Sequence, residues 1–211
     1  MTDFPKRRRA LRWIGAAALA PWLPGAALAQ EWRPMPASTE GPFYPRTFPA
    51  DKDNDLTRVA GAAGVAGGTI LDLSGRILDR RGKPLAGALI EIWQCDIRGN
   101  YHHVGESQPA LDPNFQGWGT DVVDADGRYR FRTIRPVPYS GRTSHIHYTV
   151  RVGGKRIFTS QMYVEGDAGN ERDFLYRALG KDAKLATMKL EDAPSDSGAK
   201  VRGVLDIVVV T

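Results

Sequence analysis

Two histidines one residue apart, His145-Ile146-His147, are the residues most suited to chemistry, because the 211-residue chain holds only four histidines. The stretch around them alternates as a β-strand does, and on a strand residues i and i+2 share a face. His145, His147 and Thr149 fall on one face, and Ile146, Tyr148, Val150 and Val152 on the other. The apolar set must face the core. Both imidazoles then project together from the opposite side, at a spacing that suits one metal ion. Two polar residues on the solvent face of a half-buried strand would give the same pattern. H-x-H alone leaves both readings standing.

Two tyrosines sit in predicted loops upstream. Tyr101 follows Asp96-Ile97-Arg98-Gly99-Asn100, and Tyr139 closes Arg135-Pro136-Val137-Pro138. Either one alone reads as an amphipathic residue with its ring packed and its hydroxyl wet. Their company gives them weight: Tyr101, then Tyr139, then Arg142-x-x-His145-x-His147, with Gln161 on the strand that pairs with the histidine strand.

Elements able to hold these residues are predicted mainly as short strands. Residues 69–78 and 88–94 alternate, and Asp79-Arg80-Arg81-Gly82-Lys83-Pro84 forms a turn between them. Asp124-Ala125-Asp126-Gly127 is a hairpin turn before Arg128-Tyr129-Arg130-Phe131-Arg132, and Gly153-Gly154 joins the histidine strand to residues 156–163. Residues 173–190 have helical spacing, with Phe174, Leu175, Ala178 and Leu179 on one side. Residues 204–210 close as a strand. The expected fold is all-β, an antiparallel β-sandwich with a loop-borne metal site, an extended N-terminal arm and a short C-terminal helix. The arm and a Gly/Ala-rich flexible connection take residues 30–68, and the sandwich takes residues 69–211. Within the arm, Thr39-Glu40-Gly41-Pro42-Phe43-Tyr44-Pro45 is a stiff aromatic segment suited to packing over the later body.

Residues 1–29 read as a cleaved export signal. Lys6-Arg7-Arg8-Arg9 precedes an apolar stretch broken by Pro21 and Pro24, and Ala27-Leu28-Ala29 has the small-x-small cleavage pattern. The stretch is too short for a membrane anchor. Paired arginines point to the twin-arginine route and a periplasmic location. That segment holds five basic residues against one acid, Asp3, so the net charge of +5 falls to +1 once it is removed. The positive charge therefore argues for no nucleic-acid partner. A single cysteine, Cys95, excludes an intrachain disulfide and reads as a small packed residue.

The chain resembles the intradiol ring-cleavage dioxygenases, and within them the β subunits of protocatechuate 3,4-dioxygenases. The resemblance is carried by residues 39–45, Ile92-Trp93-Gln94, Gly99-Asn100-Tyr101 and Leu111-Asp112-Pro113-Asn114-Phe115. It continues through Phe131-Arg132-Thr133-Ile134, Pro138-Tyr139, His145-Ile146-His147 and Ser160-Gln161-Met162-Tyr163-Val164-Glu165-Gly166-Asp167. It implies a mononuclear non-haem Fe(III) held by Tyr101, Tyr139, His145 and His147, with Arg142 and Gln161 beside a bound catechol. His102 and His103 match no ligand position and read as loop residues. Hard phenolate oxygens suit a ferric ion, whereas two histidines and one carboxylate form the common ferrous oxygenase set. Charge also balances: a catechol dianion that replaces one tyrosinate and a hydroxide leaves the centre neutral. The resemblance makes Tyr139 the tyrosinate that leaves and takes a proton, with Arg142 stabilising developing charge. The implied reaction opens a small aromatic diol with O2 between its hydroxylated carbons, giving a cis,cis-muconate-type diacid. The implied assembly is a homo-oligomer or a pairing with a related subunit.

The sequence departs from the family at Ser140-Gly141, where protocatechuate enzymes carry a proline and a large aromatic. The segment ahead of Thr39 also lacks the helical dimerisation region of catechol-cleaving members. Two other classes stay open. Gly75-x-x-x-Asp79-x-x-Gly82-x-Pro84-Leu85-x-Gly87-Ala88 resembles transthyretin-like sandwich modules that only bind, and an accessory subunit without its own activity would share the fold.

Overall fold

The computed structural model describes residues 32–105 and 110–211; the export signal expected at residues 1–29 lies outside them. Ten strands form the body: β1 (Ile70–Asp79), β2 (Leu89–Trp93), β3 (Trp118–Val122), β4 (Arg128–Ile134), β5 (His145–Val152), β6 (Lys155–Val164), β7 (Thr187–Met188), β8 (Leu190–Asp192), β9 (Val201–Val204) and β10 (Ile207–Val209). One sheet is built on β1, with β4 along one side and β9 and β10 along the other, and β8 outside β9. The second runs β3-β2-β5-β6-β7. Alternation in the sequence produces the core between them. Leu71, Leu73, Ile77, Tyr129 and Phe131 meet Ile90, Ile92, Ile146, Tyr148, Val150 and Met162, and all are buried. Burying side chains of this size stabilises the fold by roughly 1.5–3 kcal/mol each before chain entropy is counted.

The sandwich follows the sequence expectation, but its sheets are mixed rather than wholly antiparallel. Strands β9 and β10 run parallel to β1, and β7 parallel to β6. Each of these pairings joins strands separated by a long connection, and only such connections permit parallel neighbours. Alternation within a strand carries no information on direction.

The helix expected over residues 173–190 is much shorter. It reduces to α1 (Phe174–Ala178), followed by a 3-10 turn over Gly180–Ala186. Gly180 has φ +54° and breaks the α geometry, and residues 187–188 extend to pair with β6. Among the described residues no helix is long and apolar enough to cross a membrane.

The arm holds no regular element, as its proline content predicts, yet it is fixed throughout. Met35 N–H donates to Val208 O, Ser38 N–H to Thr159 O and Leu56 N–H to Arg132 O, at 2.8, 3.0 and 2.7 Å. Leu56 enters the main core. The Gly/Ala-rich stretch makes contacts at its end. Ala66 is buried with its N–H on Thr57 O, and Gly67 N–H donates to the Asp112 carboxylate at 2.6 Å.

Candidate active site and metal centre

The outer face of the second sheet, not the inter-sheet core, carries the candidate site. Register places Trp93 opposite His147 on one side, and Gln161 opposite His147 and Tyr163 opposite His145 on the other. The histidine face of β5 is fully buried: His145, His147 and Thr149 are each at most 1 % exposed. Over residues 145–150 neither face of the strand meets solvent, because the arm covers the second. Gly41, at φ +72°, passes so close that a Cβ there would lie 3.5 Å from His147 Cε1. Val152, expected on the core face, is exposed instead, beyond an irregularity in the β5–β6 pairing after Val150.

A smaller apolar cluster surrounds the histidines, made of Trp93, Cys95, Tyr101, Val104 and Trp118, with Phe43, Tyr44, Val137 and Tyr139 packed against it. Trp93 stacks on His147 with ring centroids 5.0 Å apart and planes 8° from parallel. Phe43 of the arm stacks on Tyr101 at 4.5 Å and 7°.

Local hydrogen bonds deliver the tyrosines. The buried Asp96 carboxylate accepts from the N–H groups of Arg98, Asn100 and Asp112, which fixes the loop that ends in Tyr101. Tyr139 begins a tight turn in which Ser140 and Gly141 have φ +36° and +78°, and Arg142 N–H closes on Tyr139 O at 2.7 Å. The turn sets Tyr139 and Arg142 side by side. All four predicted ligand residues meet. Ring centroids are 4.7 Å apart for His145–His147, 5.0 Å for Tyr101–Tyr139, 5.5 Å for Tyr139–His145 and 6.0 Å for Tyr101–His147.

The donor set fits one metal ion. His145 Nδ1 lies 2.7 Å from Thr143 O, an acceptor, so Nδ1 carries the proton and Nε2 presents its lone pair. The two Nε2 atoms face each other at 3.1 Å. The Tyr101 hydroxyl is buried without a hydrogen-bond partner, and such an orphan in a polar cluster calls for a ligand or ion. Among the described residues no three of His, Cys, Asp or Glu gather as a ligand set. The two phenols stand beside the histidine pair.

Arg142 and Gln161 form the other wall. Arg142 Nη2 donates to Gln161 Oε1 at 2.7 Å, and Tyr163 hydroxyl donates to the same oxygen at 2.8 Å. Gln161 Nε2 donates to Thr39 O of the arm at 3.2 Å. The loop histidines turn away, His103 Nε2 to Gln116 O at 2.9 Å and His102 toward Asp96. Asp173, Thr143, Asp96 and Trp93 were not singled out from the sequence for this site. An aspartate before a helical pattern and an Asp-x-Arg-Gly turn are legible as caps, but what they hold is not.

Residues 39–208 match the family described as dioxygenases, most of the chain. Over 125 residues the chain is 42 % identical to the protocatechuate 3,4-dioxygenase beta chain of Burkholderia cepacia, covering 54 % of this chain and 53 % of that one. The chain belongs to the intradiol ring-cleavage dioxygenase family. A second member of that family, catechol 1,2-dioxygenase 2 of Acinetobacter lwoffii, is 33 % identical over 159 residues, 67 % of this chain and 55 % of its own. The dioxygenase domain of a dioxygenase carbohydrate-binding protein fusion from Streptomyces sp. SirexAA-E superposes with a TM-score of 0.66 at 29 % identity. That match covers 85 % of this chain and 99 % of that domain. This intradiol dioxygenase chain spans about half the length of the curated relatives it matches.

Burial sets the protonation of the site. It lowers His145 to about 4, helped by the Arg142 guanidinium, and holds His147 well below the usual imidazole range. The unfolded chain binds a proton near pH 6.5 that the folded site refuses until about 4, so stability rises with pH across that window. In the iron-free protein, His145 alone should remove on the order of 3 kcal/mol between pH 6.5 and 4. Urea unfolding at both values checks this, and equal stability would refute it.

Proposed function

We propose that this dioxygenase opens a catechol-type ring between its two hydroxylated carbons, incorporating O2 to give a cis,cis-muconate-type diacid. The observation that carries the reading is the convergence of Tyr101, Tyr139, His145 and His147 on one buried spot, with Arg142 and Gln161 alongside. Those four residues would hold a single Fe(III), which when bound supplies the means of activating the catecholate toward O2. The protein does the rest. Tyr139, half-buried at the end of its turn, is placed to take a proton from an incoming diol at its phenolate oxygen. Arg142 offers a fixed positive charge where negative charge develops. The arm, through Gly41 and Phe43, keeps bulk water from His147 and Tyr101.

Purified chain supplied with iron should be red-brown from tyrosinate-to-metal charge transfer and should consume one O2 per catechol. Both oxygen atoms should appear in the diacid by mass spectrometry. A colourless protein would favour a binding module, and a yellow semialdehyde product would exclude intradiol cleavage. A coloured protein with no turnover would favour the accessory-subunit reading.

Export through the twin-arginine route to the periplasm is part of the same proposal, supported by Arg7-Arg8-Arg9 and Ala27-Leu28-Ala29. Mass spectrometry of periplasmic protein should find Gln30 at the amino terminus. An intact segment 1–29 there would refute it.

A further inference from the structure

Asp173 is a wholly buried carboxylate for which the proposed chemistry has no use, and both its oxygens are occupied. Oδ1 accepts from Leu175 N–H at 3.0 Å and Tyr176 N–H at 2.9 Å, capping α1. Oδ2 accepts from Arg142 Nε at 2.7 Å and Thr143 N–H at 2.9 Å. A five-residue helix with no buried side chain of its own gives little reason to bury a charge, because serine caps as well as aspartate. The second oxygen is the informative one.

Oδ2 grips the guanidinium at Nε, while Nη2 at its other end is held by Gln161 Oε1. Gln161 is held in turn by Tyr163 and by Thr39 of the arm. An arginine side chain is long and has much rotamer freedom; fixed at both ends of its planar fork, it has little. The same oxygen also holds Thr143, whose carbonyl accepts from His145 Nδ1. One carboxylate thus holds the N–H of the residue whose carbonyl meets His145, and the side chain that flanks the histidines.

We propose that Asp173 is the positioning residue of this site. It holds Arg142 in the orientation the reaction needs, acting through Arg142 and touching no reacting atom. The proposal rests on the reading of Arg142 given above.

The test is a double-mutant cycle with Asp173→Ser and Arg142→Ala. Serine keeps the helix cap but is too short to hold Arg142, so it separates capping from positioning. With iron-loaded protein and catechol, Asp173→Ser should lower kcat on the order of tenfold to a hundredfold, with a smaller change in KM and no loss of charge-transfer colour. In the Arg142→Ala background the same substitution should lower kcat far less, since only its hold on Thr143 is then left to lose. Asp173→Asn gives a second route if serine proves unstable. Its single acceptor oxygen cannot serve both donor pairs, so it should show the same non-additivity. Melting temperatures of the four iron-free proteins supply a readout independent of activity, and Asp173→Ser should cost less stability once Arg142 is gone. An unchanged kcat in Asp173→Ser, or equal losses in both backgrounds, would overturn the proposal. Additive melting temperatures would do the same. If wild type fails to open catechol, the functional reading falls, and the thermal cycle alone decides whether the two residues are coupled.

Discussion

Arg142→Ala should cost most of the turnover, keep the iron and its colour, and destabilise the fold. The loss of turnover follows from removing a fixed positive charge beside the proposed substrate position, an effect on the order of a hundredfold to a thousandfold. Colour should survive because it arises from the tyrosinates. The stability loss has a separate cause. Arg142 and Asp173 form an ion pair with side chains 11 % and 0 % exposed, so the substitution strands a buried carboxylate. Breaking such a pair from one side costs about 3–5 kcal/mol, and the lower end applies where three backbone N–H groups still serve the carboxylate. Burial raises the Asp173 pKa, but Arg142 and those N–H groups outweigh it and hold the group below the usual carboxylate range. The carboxylate contributes stability above its unfolded pKa in wild type, lost as pH falls through the lower folded value. In the variant the folded pKa rises, so the stability gap is widest near neutral pH and narrows under acid as Asp173 protonates. Urea titrations at pH 7 and pH 4, beside steady-state kinetics and iron content, check each part. Iron loss in the variant would refute the division between coordination and reaction.

How much of this was legible depends on how local each signal is. Alternation of 145–150 placed Ile146, Tyr148 and Val150 in the core and both imidazoles on the other face, because strand period is a property of the strand alone. It did not show that the second face is also buried, since its cover, Gly41 to Tyr44, lies about a hundred residues earlier and has no period. Tyr101, Tyr139, Arg142 and Gln161 were named through family resemblance. Their geometry came only from the turn at Ser140-Gly141 and the pairing of β5 with β6. The short helix is present but ends sooner than its spacing suggests, because Phe174, Leu175, Ala178 and Leu179 all precede Gly180, where the α geometry breaks. Asp173 carried a readable capping signal, but its second oxygen serves a side chain 31 positions away, a distance at which no pattern operates.

The two tyrosines should behave unequally when each is changed to phenylalanine. Tyr101 is buried, stacked under Phe43 and carried on a loop fixed by Asp96. Burial, and the nearby Tyr139, push its pKa well above 10. Tyr139 is half-buried, on a turn whose Gly141 has open space around it. Burial raises its pKa too, but the Arg142 guanidinium pulls against that rise. Tyr139, half-buried and with Arg142 favouring its ionisation, is therefore the phenol suited to exchange with a diol, and Tyr101 the one that stays. In Tyr139→Phe three protein ligands remain, so iron should bind and part of the charge-transfer colour should persist. Turnover should fall on the order of a hundredfold, because the proton acceptor for the diol is gone. Tyr101→Phe should be coloured at rest through Tyr139 and should lose its tyrosinate band when catechol is added without oxygen, leaving only catecholate bands. Anaerobic spectra of both variants before and after catechol decide the matter. A tyrosinate band that survived catechol in Tyr101→Phe but vanished in Tyr139→Phe would exchange the roles of the two residues.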